Sequence, residues 1–138
     1  MAIIEKTSVS LRIFGDDLSP DSITDQLGHP PTYSEAKGEE IVGKKTGRVR
    51  VAKTGCWRLH AKEAVPGNLD AQITELLEKL TKEEKIWNKI ASKYKIELFC
   101  GLFMGGEMEG EGISAENLLA LGQRQIELSL GIYGPSED

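Results

Sequence analysis

A chain of 138 residues, 39% hydrophobic and 28% charged with a net charge of −5, has the composition of a single soluble domain. A domain of that size buries roughly two thirds of its unfolded surface, so neither a disulfide nor a metal is needed to hold it. Overall acidity without an aromatic-rich basic groove argues against nucleic acid as a partner. The longest apolar run, ELFCGLFMGG, is too short to span a bilayer, and MAIIEKTSVS lacks the pattern of a signal peptide, so a cytoplasmic chain with no membrane partner is expected.

The first strand is TSVSLRIF, where Val9, Leu11 and Ile13 alternate with Ser8, Ser10 and Arg12, the pattern of a half-buried strand with one wet face. A helix follows. Ser19 is its N-cap, Pro20 suits the first helical position and Asp21 complements the dipole. Leu18 and Ile23 are spaced as a hydrophobic staple, and Gly28 with His29-Pro30-Pro31 stops the helix. Residues 33–46 are polar with two glycines and read as a long loop. GRVRV and CWRLHA read as two strands of a hairpin joined through AKTG. In LDAQITELLEKL, the residues Leu69, Ile73, Leu76, Leu77 and Leu80 form one helical stripe. Thr81 and Glu84 have capping-box spacing, which predicts a further helix with Ile86, Trp87, Ile90 and Tyr94 on its apolar face. KIELFCGLFM is apolar on both faces towards its end, as a central strand is. GGEMEGEG reads as an acidic loop. Ser114 caps another short helix, with Ile113 and Leu118 as staple partners and Gly122 as its end, and QIELSLGIY is the last strand. The structured core is expected at about 7–133 and a flexible tail at 134–138.

LSPDSITDQLG and ISAENLLALG thus use one device twice, which suggests an internal strand–helix repeat. The element order predicts an α+β fold, with an antiparallel or mixed sheet carrying its helices on one face. That order resembles a ferredoxin-like unit extended by a helix and a strand. A sheet edge or an exposed apolar face offers a route to a homodimer.

The succession of GDDLSPDSITDQLG, PT, KG, GCWRL, ELFCGLF, ISAENLLALG and IELSLGIY, from about Val9 to Tyr133, resembles the bacterial domain of unknown function 4279. The resemblance implies a compact α+β fold in a bacterial cytoplasmic protein. It implies no activity and no catalytic residues.

Chemistry has few candidates. Asp16 and Asp17 follow the first strand, while Glu107, Glu109 and Glu111 follow the later one. If the two loops converge, their carboxylates suit a divalent cation, although no EF-hand spacing is present and a turn explains the aspartates as well. His29 and His60 are the only histidines. Cys56 and His60 lie on one strand about 13 Å apart, too far for a nucleophile–base pair. No spacing of Cys and His fits zinc, and no phosphate loop occurs. Cys56 and Cys100 are expected to stay reduced, Cys100 as a small core residue. Lys44, Lys45, Arg48, Arg50, Lys53, Arg58 and Lys62 fall in a stretch without a single acid. They read as solvent-facing positions of a hairpin or as a partner surface. Within that block, Arg48, Arg50, Trp57, Arg58 and His60 are the candidate binding residues, with Trp57 either an interface anchor or, more commonly for a strand tryptophan, a core plug. The leading expectation is a non-enzymatic module, without cofactor, that binds a protein or small molecule. The alternative is a small divalent-metal-dependent hydrolase using Asp16, Asp17, Glu107 and Glu109.

Overall fold

The computed structural model describes residues 2–135; residues 136–138 of the tail expected to be flexible lie outside the described residues. In chain order the elements are β1 (Ala2–Ile3), β2 (Lys6–Gly15), α1 (Pro20–Leu27), β3 (Tyr33–Glu35), β4 (Glu40–Val42), β5 (Val49–Val51), β6 (Gly55–His60), α2 (Leu69–Lys79), α3 (Glu84–Ala91), β7 (Lys95–Phe103), β8 (Glu109–Gly110), α4 (Ala115–Gln123) and β9 (Glu127–Tyr133). The class is α+β. The main sheet has the order β3-β6-β2-β7-β9. Its strands alternate in direction except that β9 runs parallel to β7. The parallel step is made possible by the connection, because β7 reaches β9 through α4, the kind of crossover that a parallel pair needs and a tight hairpin cannot supply.

Period-two alternation in β2 decides which face becomes the core. Val9, Leu11 and Ile13 are buried against the helices, together with Trp57 and Leu59 of β6 and Ile96, Leu98 and Cys100 of β7. The stripe of α2 supplies Leu69, Ile73, Leu76 and Leu77, and α3 supplies Trp87 and Ile90. Among the described residues, the other face of the sheet carries no helix.

A polar bolt crosses the core side. Thr7 Oγ1 donates to Gln72 Oε1 at 2.6 Å and accepts from the Asn68 N–H at 2.9 Å. Gln72 Nε2 donates to the carbonyls of Thr7 and Lys62 at 3.0 and 2.9 Å. The buried amide is thereby satisfied, and it fixes the start of α2 on the first residues of β2.

The cap of α1 is as expected: Ser19 Oγ accepts from the Ser22 N–H, Gly28 ends the helix at φ 82°, and the staple pair Leu18 and Ile23 is buried. The second copy of the device is looser. Ser114 Oγ accepts from the Asn117 N–H, but Leu118 is exposed, and α4 runs through Gly122 to Gln123 before Gln125 turns at φ 59°.

Two other expectations are corrected. Residues 33–46 hold β3 and β4, and β5 pairs with β4 across a Gly43–Gly47 turn, whereas β6 pairs with β2 and β3. Gly47, at φ 65°, supplies the left-handed residue that this turn needs. The Thr81 capping box does not form. The Thr81 N–H is spent on the Leu27 carbonyl and the Thr81 carbonyl accepts from Trp87 Nε1, so α3 begins three residues later, at Glu84.

Candidate functional site

Alternation carries a second set of side chains onto the helix-free face. From β2 come Lys6, Ser8, Ser10, Arg12 and Phe14. From β6 come Cys56, Arg58 and His60, and β7 adds Glu97, Phe99 and Phe103. Register then dictates neighbours. Arg12 lies directly opposite Arg58 on one side and Glu97 on the other, and Ser10 lies between His60 and Phe99. Two like charges facing each other across a strand pair are destabilising. Their surroundings relieve little of that. The Arg12 guanidinium sits 4.3 Å from the centre of the Phe99 ring, and that of Arg58 is 6.0 Å from both Phe14 and Tyr33. Among the described residues, the buried Nε atoms of both arginines and the buried Oγ of Ser10 have no hydrogen-bond partner. Glu97, the one carboxylate directly beside Arg12, pairs with Lys95 at 3.7 Å.

Glycines let the aromatic rings lie flat over the sheet. A Cβ on Gly131 of β9 would stand 2.7 Å from Phe99 Cζ, and one on Gly101 would stand 2.6 Å from Ser8 Oγ. Phe103 stacks on Tyr133 with centroids 4.6 Å apart, and Lys6 covers the Phe103 ring. Beside Phe99 runs a cleft of about 330 Å³, lined by Ser8, Ser10, Arg12, His60, Glu63 and Phe99. Its size suits a few residues of a partner or a small molecule. Burial, then the Arg58 and Arg12 charges, hold the His60 imidazole below its ordinary pKa. Beside it, Arg50 reaches from β5 to bind Glu35 and Tyr33, whose hydroxyl also donates to Glu35. Arg50 first, then Tyr33, draws the Glu35 carboxyl below its usual range.

Such an arrangement can hold an anion through charge-assisted hydrogen bonds from the outer nitrogens of two guanidiniums, with an imidazole at the rim. Ser10 makes no hydrogen bond to His60, so the pairing that would activate a serine nucleophile is not made.

A family model described as a domain of unknown function, DUF4279, matches residues 5–135, nearly the whole chain. The chain belongs to this family. No curated protein and no solved structure matches it.

The DUF4279 match contains every residue of the cleft. Of the candidates read from the sequence, Arg58 and His60 meet at this face, and Arg50 stands next to it on the β4–β5 hairpin. Arg48 is exposed beyond the hairpin turn. Trp57 points the other way: its side chain is fully buried and its Nε1 donates to Thr24 Oγ1 at 3.0 Å. The acidic loops do not converge. Lys6 pairs with Phe103 and Phe14 with Lys95, so Glu107 and Glu109 follow the end of the sheet where β2 starts, and Asp16 and Asp17 follow the end where it finishes. Eight residues of strand, about 27 Å, separate the two ends. Asp16 pairs with Lys37, Glu109 accepts from the Gly105 N–H in its own loop, and among the described residues no group of three or more His, Cys, Asp and Glu side chains could hold a metal ion. Arg12, Ser10 and Phe99 were not singled out from the sequence. Ser10 and Arg12 were visible as the wet face of the first strand, but their meeting with Arg58 and His60 depends on register. The two cysteines lie on opposite faces of the sheet, both free and both buried. No helix of the described residues is long and apolar enough to cross a membrane.

Proposed function

We propose that the chain is a non-enzymatic binding module whose helix-free sheet face takes up an acidic segment of a partner protein. The observation that carries this reading is the facing pair Arg12 and Arg58, each with a buried, unpartnered Nε, of which Arg12 lines a cleft that also holds the unpartnered Ser10 hydroxyl. A fold that only needed a solvated face would gain by placing opposite charges there. Two guanidiniums held side by side make sense if a carboxylate arrives to bridge their outer nitrogens, since guanidinium–carboxylate pairs are bidentate and directional. The flat Phe99 ring supplies apolar area beside the charge, the mixture found at the centre of protein interfaces.

The test is a titration of isotope-labelled protein with a glutamate-rich peptide, a lysine-rich peptide and inorganic phosphate, followed by amide and arginine side-chain NMR shifts. The glutamate peptide should move Ser10, Arg12, Arg58, His60 and Phe99, and the lysine peptide should not. Losing one charge-assisted contact costs about 1.5–3 kcal/mol, so Arg12→Met or Arg58→Met should weaken binding roughly tenfold or more. Phosphate binding as tightly as the peptide would point to a small anion in place of a protein segment. Unchanged shifts with every probe would remove the reading.

A further inference from the structure

The two edges of the main sheet are treated differently. On one side β3 is three residues long and follows Pro30 and Pro31, so it offers little backbone to a newcomer. On the other side β9 is a seven-residue edge, ELSLGIY, that holds neither proline, lysine nor arginine. Leu130 and Ile132 are 53% and 64% exposed. On the same side of the sheet α4, which packs against β9, exposes Leu118 and Leu119. An edge of this kind, long, largely apolar and charged only at Glu127, is a template for pairing.

From these observations we infer that β9 pairs antiparallel with β9 of a second copy, about a two-fold axis at Leu130. Backbone directions support that register. The Tyr133 carbonyl accepts from the Met104 N–H on the β7 side, so by alternation the N–H and C=O groups of Leu128, Leu130 and Ile132 point to the open edge. Centring the axis on Leu130 sets Leu130 against itself and Leu128 against Ile132, so that all three outward-facing residues meet as hydrogen-bonded pairs. A shift of two residues either way leaves one of them without its counterpart. Side chains agree with the backbone. The helix side of the junction would be Leu128, Leu130 and Ile132 from both copies. On the other side Ser129 would face Gly131, and Glu127 would face Tyr133. Glu127 is already neutralised by Lys95 at 3.2 Å, and no like charges meet. Self-complementarity about a two-fold axis is what a homodimer requires. A peptide of different sequence is not required to match it, and for that reason the second copy is the occupant.

Sedimentation equilibrium of the full chain across a wide concentration range tests this directly, with two variants. Leu130→Lys places two like charges opposite each other at the axis while leaving the core untouched. Leu130→Cys places two thiols across a hydrogen-bonded pair, whose Cα separation of about 5.5 Å falls within disulfide range. The native chain should sediment at twice the chain mass. Leu130→Lys should sediment at once the chain mass with an unchanged circular dichroism spectrum, and oxidised Leu130→Cys should run as a covalent dimer. Monomer at every concentration, a dimer that survives Leu130→Lys, or a native dimer whose Leu130→Cys variant fails to cross-link on oxidation would each overturn the inference.

Discussion

Replacing Arg58 with methionine should stabilise the fold while impairing binding. Methionine keeps the apolar stem of the side chain and removes its charge and its unpartnered Nε. The guanidiniums of Arg12 and Arg58 belong to directly paired residues. Two like charges on long side chains of a directly opposed pair, roughly 5–10 Å apart, repel by roughly 2–3 kcal/mol at an effective dielectric of 20. Both heads reach water, and screening takes this below about 1 kcal/mol. Release of a buried unpaired donor adds about 1 kcal/mol. Against this stand two ring contacts at 6.0 Å, the outer limit of a cation–π interaction, worth about 0.5 kcal/mol each. The net gain is therefore at most about 1 kcal/mol. With an unfolding entropy of about 2.1 cal/mol/K per residue, a chain of 138 residues should melt up to about 3 °C higher. Urea unfolding at low and high salt is the assay, because the repulsive part should fade as salt rises. A variant that melts lower than the native chain, or a gain indifferent to salt, would show that Arg58 is held by interactions that stabilise it, and the argument for a waiting anion site would fail.

Three further outcomes are expected. The folded His60 pKa lies below 6.5, so the unfolded chain takes up its proton first, and stability should fall as pH drops through 6.5 towards the folded value. A carboxylate placed among Arg12, Arg58, Glu63 and His60 would raise that pKa, so a glutamate-rich peptide should bind more tightly at about pH 5.5 than at about pH 7.5, and calorimetry on His60→Gln should show a flatter profile. Gln72→Ala should cost about 2–3 kcal/mol, seen as a melt about 7–10 °C lower, because it leaves the buried Thr7 hydroxyl proton and the part-buried Lys62 carbonyl unpaired; Gln72→Leu should recover little of it. Burial raises the Cys100 thiol to about 11, so only about one molecule in a thousand carries its thiolate at pH 8, and mass spectrometry after alkylation should find Cys100 unmodified until urea unfolds the chain.

Local signals served the fold well wherever the physics was local. The Ser19 cap, the Pro20 start, the Gly28 stop and the α2 stripe were all visible as residue types at fixed offsets, and each is present as read. Errors came where backbone groups choose partners far along the chain. Thr81 has the right neighbours for a cap, yet its N–H goes to Leu27. Val49–Val51 looked like the hairpin partner of CWRLH, yet it pairs with Glu40–Val42, a strand of three residues, too short to announce itself within a polar stretch. The candidate site was half legible for the same reason. Arg58 and His60 stood out in a basic stretch, whereas Arg12, Ser10 and Phe99 acquire meaning only through a register set by strands on either side.

The central position of β2 has a consequence for synthesis. β2 is made early, but Phe14 waits for Lys95 and Lys6 for Phe103. At translation rates of about 5–20 residues per second, the strand stands without that neighbour for roughly 4–20 seconds. An all-apolar central strand would be a hazard over such an interval. The serines at 8 and 10 and the arginine at 12 keep one side of the nascent strand hydrated until β6 and then β7 arrive. The side chains proposed to meet a partner in the finished fold thus also act as solubilising groups during its assembly.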